Sequence, residues 1–408
     1  MKPFYRYLIV FAALIAAYLL FGAGAYLMPD SAVHKHVQKT LEMGDMLDDQ
    51  PRAIIPRALQ TRMDNFTDAI ILNQAYVMHA EGFRTGLLLV PRWQAPKLPF
   101  EMLRDGVDGQ EMHLRHYARY WHGSTFLTRY LLTFYDYVSI RLLLYILSTL
   151  LLVWCAVELW RRQGWQTAVA VVFGLTVCYA FVMQFSMQFA PVLIIALAGM
   201  IAISRGCNPA MTAFVVGSLT CYFDLLTAPM LTLCSLLLIG TQASLPVLKG
   251  WWLTLRSALL WGAGYAGTWL TKWVIATLFT SENVIADGIH NTAHRSGIAD
   301  FSRWDAVASN LDLLPWKYVA LAVLIVVVLM VVGFNAKGWR RALQLLPIAL
   351  IPYVWYFFAA DHSYWHNWFT FRAQAPAVAA VLLALMQFVD WKKIKNEKWR
   401  IRNIKSRC

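Results

Sequence analysis

A succession of long apolar runs constrains this chain more than any other feature. A helix crosses the hydrocarbon core of a bilayer with roughly 20 apolar residues, each rising 1.5 Å. About ten runs near that length can be read, at roughly 6–28, 138–160, 165–185, 189–204, 210–223, 225–242, 254–279, 317–334, 342–359 and 373–389. Backbone polar groups in lipid must be satisfied within their own segment, so the runs predict helices. The expected fold class is all-α, a polytopic transmembrane helical bundle forming a single domain over 1–408. The runs at 210–223 and 225–242 are short and joined through Asp224 and Pro229, so they read as two spans or as one broken, re-entrant pair. Composition agrees: 59% of residues are hydrophobic and 14% charged, with mean hydropathy +0.49, far from a soluble average.

The net charge of +13 invites a nucleic-acid reading, but its distribution argues against one. Eight basic residues crowd the tail at 390–408, from Lys392 to Arg407. Others (Arg161, Arg162, Arg205, Lys249, Lys337, Arg340, Arg341) sit in short loops between apolar runs. That is the positive-inside pattern with attraction to anionic lipid. It predicts a multi-pass protein of a bacterial cytoplasmic membrane with both termini cytoplasmic and the bilayer as partner. Residues 1–28 have a basic start like a signal peptide, yet the apolar run is longer than a signal core, and a retained first span is expected. The six cysteines show neither CxxC nor Cys/His ligand spacing, so no disulfide framework or zinc site is inferred.

This orientation leaves one large extracytoplasmic segment at 29–137, with interfacial helices, and smaller outer pieces around Asp224, at 280–316 and at 360–372. Concentrated polar and histidine-bearing sequence lies in these pieces. In Asp64-Asn65-Phe66-Thr67-Asp68-Ala69, two carboxylates stand four apart, aimed at one patch if the stretch from about Asp64 to His79 is a helix. One reading makes Asp64 an N-cap, or both acids partners of the helix dipole. The other makes a carboxylate at the lipid boundary a base for an acceptor hydroxyl, or a ligand of a divalent cation holding a phosphate. Asp30 directly follows the first span. Glu81 and Arg84 are three apart and read as a surface pair or as substrate contacts.

Arg119-Tyr120-Trp121-His122-Gly123 precedes Arg129. Its aromatics read as interfacial anchors, or as a face on which a sugar stacks beside His122, with Arg115, Arg119 and Arg129 available to a phosphate. Asp361-His362-Ser363-Tyr364-Trp365-His366 runs to Arg372 and sets two histidines four apart, a spacing for a substrate cluster or, less specifically, a metal. Asp224 and Lys272 fall at membrane depth, where an ionisable group is costly unless paired or wet; Lys272 also reads as a snorkelling residue. Arg295, with His290 and His294, belongs to a less distinctive outer loop.

One amino-terminal span, a long outer segment with interfacial acids, then many spans: this layout resembles the GT-C class of membrane glycosyltransferases. The strings Asp64–Ala69, Tyr120–Gly123 and Asp361–His366 also resemble bacterial multispanning proteins linked to surface polysaccharide. The resemblance implies a polyprenyl-phosphate-linked sugar donor, a glycan or lipid acceptor, and inverting transfer with Asp64 or Asp68 as catalytic carboxylate and Asp30 a weaker candidate. Arg84, Arg129, Lys272 or Arg372 would stabilise the departing phosphate. Trp121 and Trp365 would stack on sugar, with His122, Asp224, His362 and His366 binding hydroxyls. A divalent cation, Mg or Mn, is a candidate cofactor but not a requirement. A transporter or lipid flippase is the alternative, and would place coupling charges at the membrane midplane.

Overall fold

The computed structural model describes residues 3–43, 53–241, 244–297 and 300–395. The chain is nearly all-α, with 76% of it helical and one short antiparallel ribbon, β1 (Pro91–Gln94) and β2 (His113–His116). Among the described residues four helices are long and apolar enough to cross a membrane: Phe4–Tyr26, Tyr137–Gln163, Ala336–Phe358 and Asn367–Met386. A fifth arises if Arg303–Leu311 and Trp316–Val332, bent by 72°, count as one broken span. The last of the four is enclosed by protein while the first is largely exposed, so the bundle is built around its carboxy-terminal helix.

Length and composition thus mark four or five spans where the hydropathy pattern predicted about ten. Part of the difference is local, although the run at 254–279 lies within the unbroken helix Val247–Phe279. The run at 165–185 stops being α-helical after Val177, where Tyr179 turns left-handed at φ 53° and a 3-10 segment follows. The runs at 210–223 and 225–242 become Pro209–Phe223 and Pro229–Gly240, with 15 and 12 residues. At 1.5 Å per residue neither reaches the roughly 30 Å of a hydrocarbon core. Asp224 makes the break: its Oδ1 accepts from the Thr227 amide at 2.9 Å and from the Thr227 hydroxyl. That is an Asx turn, which competes with helix, and Pro229 then starts the next helix at its first turn.

Helix starts elsewhere are capped as their residue types suggest. Asp136 accepts from the Ser139 amide at 2.9 Å ahead of Tyr137–Gln163, and Asn208 caps Pro209–Phe223. Close packing also has a readable cause. A Cβ on Gly217 would lie 2.1 Å from the Trp261 carbonyl oxygen, and one on Gly264 2.1 Å from that of Phe214. Only glycine lets the helix Pro209–Phe223 approach the long helix Val247–Phe279 backbone to backbone, the small-residue packing favoured where lipid supplies no hydrophobic drive.

Between Tyr26 and Tyr137 the chain folds into short helices and the ribbon. The helix Asn65–Tyr76 is the centre of this part, with Ala69, Ile71, Leu72 and Ala75 buried against Val33, Val37, Leu103 and Ile140.

Candidate functional site

A cavity of about 600 Å³ opens where five distant segments meet. The start of the helix Asn65–Tyr76 gives Asp64 and Thr67. The ribbon and the turn after it give Arg92, Arg115, His116 and Arg119. The 224–228 turn gives Leu225 and Thr227, and the helix Val284–Arg295 with its approach gives Glu282, Asp287 and Arg295. The stretch 362–369 gives His362, His366 and Trp368.

Asp64 combines both roles that its sequence position allows. Its Oδ1 caps the helix, accepting from the Thr67 amide at 2.9 Å. Among the described residues its Oδ2 is buried without a hydrogen-bond partner, in a residue that lines the cavity and is 1% exposed. Burial pushes this carboxyl above the usual range, opposed by its Thr67 bonds and by the Arg372 and Arg141 charges. Asp68 is fully buried and does not line the cavity; it accepts from the Tyr137 hydroxyl at 2.9 Å, the Met187 amide at 3.1 Å and Ser186 Oγ at 3.2 Å. Arg372 stands behind Asp64. Its Nη2 donates to the Gln60 and Arg62 carbonyls at 3.0 and 3.2 Å, and its Nε and Nη1 have no partner among the described residues.

His362 acts as a neutral bridge. Its Nε2–H donates to the Leu226 carbonyl at 2.5 Å, while Nδ1 accepts from Arg295 at 2.5 Å. Burial, then the Arg295 and His366 charges, hold its pKa well below the usual value, which fixes this tautomer at neutral pH. Leu226, at φ 71°, is left-handed, a costly conformation for a leucine, and the His362 bond pins it. His366, pushed down to about 4 by burial and Arg295, stacks on Phe369 at 5.2 Å between ring centroids. Asp361 faces His294 at 3.5 Å.

The rim is held by ion pairs. His116 has both ring nitrogens on carboxylates, Nε2 on Glu81 at 2.6 Å and Nδ1 on Glu282. Two nitrogens can both donate only in the imidazolium, and the two glutamates raise His116 above its usual pKa against the effect of burial. Arg119 reaches Asp287 at 3.4 Å. In the ribbon register Arg92 lies directly opposite Arg115. Burial, opposed by Tyr117 and deepened by the Arg115 and Arg119 charges, lowers the Arg92 pKa, and Arg92 Nε and Arg119 Nε are buried without hydrogen-bond partners among the described residues.

The other residues singled out from the sequence lie elsewhere. Arg129, fully buried, donates from Nε to the Ala25 carbonyl at 3.0 Å, from Nη2 to the Met28 carbonyl at 2.9 Å and Asp30 Oδ1 at 2.6 Å, and from Nη1 to the Ala75 carbonyl. Asp30 also meets His79 at 2.8 Å. Together they tie the end of the first helix to the end of Asn65–Tyr76. Trp121 packs on Tyr18 and Tyr222 and donates to the Thr268 carbonyl at 2.7 Å. His122, left-handed at φ 59°, donates from Nε2 to the Tyr117 carbonyl at 2.6 Å, and burial depresses its pKa to about 3. Lys272, fully buried, donates to the Leu88 carbonyl at 2.8 Å with its ammonium 5.5 Å from the Trp121 ring centroid. Asp224 sits one residue behind the lining, bonded to Thr227 and Gln188. Arg84 is exposed on the helix Phe83–Leu88, and Trp365 is exposed while Trp368 lines the cavity.

Among the described residues no group of three or more His, Cys, Asp or Glu side chains is arranged to hold a metal ion. Arg92, Glu282 and Asp287 were not singled out from the sequence. Arg92 lies alone after an apolar stretch, and only the pairing of two short strands sets it beside Arg115. Compared with protein-family models, with curated proteins and with solved structures, the chain matches none of them.

Proposed function

We propose that this chain is a GT-C-like glycosyltransferase of a bacterial cytoplasmic membrane, moving a sugar from a polyprenyl-phosphate-linked donor to a cell-surface glycan or lipid acceptor. In this reading the chain crosses the membrane about ten times with both termini cytoplasmic, the shorter apolar helices included as broken or tilted segments, and 29–137 lies outside. The observation that carries the proposal is the Asp64 Oδ2 atom, a buried carboxylate oxygen without a hydrogen-bond partner among the described residues, in a cavity that also holds four arginines.

Each part of the transfer has a residue suited to it. Asp64 Oδ2 takes the proton of the acceptor hydroxyl, and a carboxyl raised by burial is a better base near neutral pH than an exposed one. The acceptor oxygen then forms its bond to the anomeric carbon from one face. The bond from that carbon to the donor phosphate breaks on the other, and its electron pair leaves on a phosphate oxygen. Arg92, Arg115, Arg119 and Arg295, all lining the cavity, neutralise that charge with fixed forked donors. Trp368 offers the sugar an aromatic face and His366 a ring nitrogen. The transporter reading draws on Asp224 and Lys272, and both are engaged inside the protein, Asp224 in the Thr227 turn and Lys272 on the Leu88 carbonyl.

The test is the surface glycan of cells whose own copy is replaced by Asp64→Asn, with membrane levels of the protein matched. Loss of a general base predicts transfer lowered by about 10²–10⁴-fold. A normal glycan on cells carrying normally inserted Asp64→Asn protein refutes the proposal.

A further inference from the structure

The ribbon contains a charge conflict that Tyr117, with its ring 5.4 Å from the Arg92 guanidinium, eases but that no ion pair among the described residues resolves. Arg92 and Arg115 are direct cross-strand partners in a ribbon of four residue pairs, and like charges directly opposite destabilise a sheet. Two strands this short are marginal on their own, so the pairing persists against its own charge. Both arginines line the cavity.

The neighbouring acids are already answered. Glu282 is held by His116 and Asp287 by Arg119. Asp64 has Arg372 and Arg141 behind it. Arg295 donates to a neutral histidine, His362. Among the described residues no carboxylate forms an ion pair with Arg92, Arg115 or Arg295, so three guanidinium groups line the cavity without a direct carboxylate partner there. A phosphodiester carries a single negative charge. A diester of diphosphoric acid carries two, on adjacent phosphoryl groups, and presents the spaced oxygens that two forked donors grip.

We propose that the opposed Arg92–Arg115 pair, assisted by Arg295, is a dianion seat, and that the lipid-linked ligand of this cavity is a diphosphate rather than a monophosphate. This rests on the glycosyl-transfer reading for the lipid and the sugar, while the anion preference stands on the ribbon alone. The seat binds the diphosphate bridge, and in transfer the leaving group is the whole lipid diphosphate, its terminal oxygen accepting the electron pair of the glycosidic bond.

Full-length protein in detergent micelles is titrated by calorimetry at low ionic strength with two probes, P1,P2-dimethyl diphosphate and dimethyl phosphate. The expected result is binding of the diphosphate diester at least about tenfold tighter, the size of one additional charge-assisted hydrogen bond. Arg115→Gln changes an exposed side chain and leaves the fold in place, and it is expected to erase that preference; Arg92→Lys, which keeps the charge but not the fork, is expected to reduce it. Asp64→Asn is expected to keep it. Equal binding of the two probes, or a preference that survives Arg115→Gln, overturns the proposal. If the probes bind equally while Asp64→Asn still abolishes glycan transfer, the diphosphate assignment falls and the enzyme reading stands.

Discussion

Asp68 and Asp64 differ by one turn of helix, and their surroundings predict opposite responses to the same substitution. Asp68 is fully buried, and burial, opposed by Arg141 and reinforced by Asp64, raises its pKa from 3.8 to about 7. An acid raised on folding keeps its proton longer in the folded chain than in the unfolded one. Folding is then free of the ionisation cost below pH 4, pays it progressively as pH climbs, and bears all of it above pH 7. At 1.36 kcal/mol per pH unit, the interval amounts to roughly 4 kcal/mol. In Asp68→Asn the amide oxygen still accepts from Ser186 and Met187, and its NH₂ group can donate to the Tyr137 hydroxyl, so packing is kept while the ionisation is removed. The stability of the variant relative to the wild type should therefore rise by roughly 4 kcal/mol between pH 4 and pH 8. Urea unfolding in micelles, followed by tryptophan fluorescence at each pH for both proteins, measures it. Parallel pH profiles for the two would refute the burial argument. The variant should also retain transfer, leaving Asp64 as the carboxylate in the chemistry.

Two further outcomes follow from the ion pairs around the site. Arg129→Met removes the donor shared by three carbonyls and Asp30, and should lower stability by about 3–5 kcal/mol, as expected for a broken buried pair; a melting temperature equal to the wild type with weakened anion binding would instead make Arg129 a ligand contact. His116, raised by Glu282 and Glu81, contributes stability that is fully present below the ordinary histidine range and is lost as pH rises through its raised folded value. Hydrogen exchange in 284–295 should quicken over that rise in the wild type, and the step should be missing in His116→Gln.

Much of the helical framework was legible because apolar run length and capping residues are local signals. Asp64 caps the stretch that follows it, which is a helix, as one of the two readings of its position expects. What a run does not disclose is where it breaks. Tyr179 and the Asp224–Thr227 turn interrupt continuous hydropathy with backbone geometry, so counting runs overshoots the helices long enough to span. The site divides along similar lines. Asp64, His362 and His366 stand out as polar residues in apolar surroundings, and all three line the cavity. Arg129 and Lys272 stand out in the same way, yet their partners are backbone carbonyls far along the chain, which no residue pattern reveals. Arg92 carried no signal at all, because its meaning lies in the strand register.

The placement of Arg372 behind Asp64 has a consequence for synthesis. The two are separated by about 300 residues, which at roughly 5–20 residues per second take on the order of 15–60 s to translate. For most of that interval the nascent amino-terminal part holds a carboxylate with Arg141 but not yet Arg372 behind it. The electrostatic environment of Asp64 is completed only when one of the last helices docks into the centre of the bundle. A ribosome stalled before that point leaves a partial chain with an under-compensated acid beside its half-built cavity.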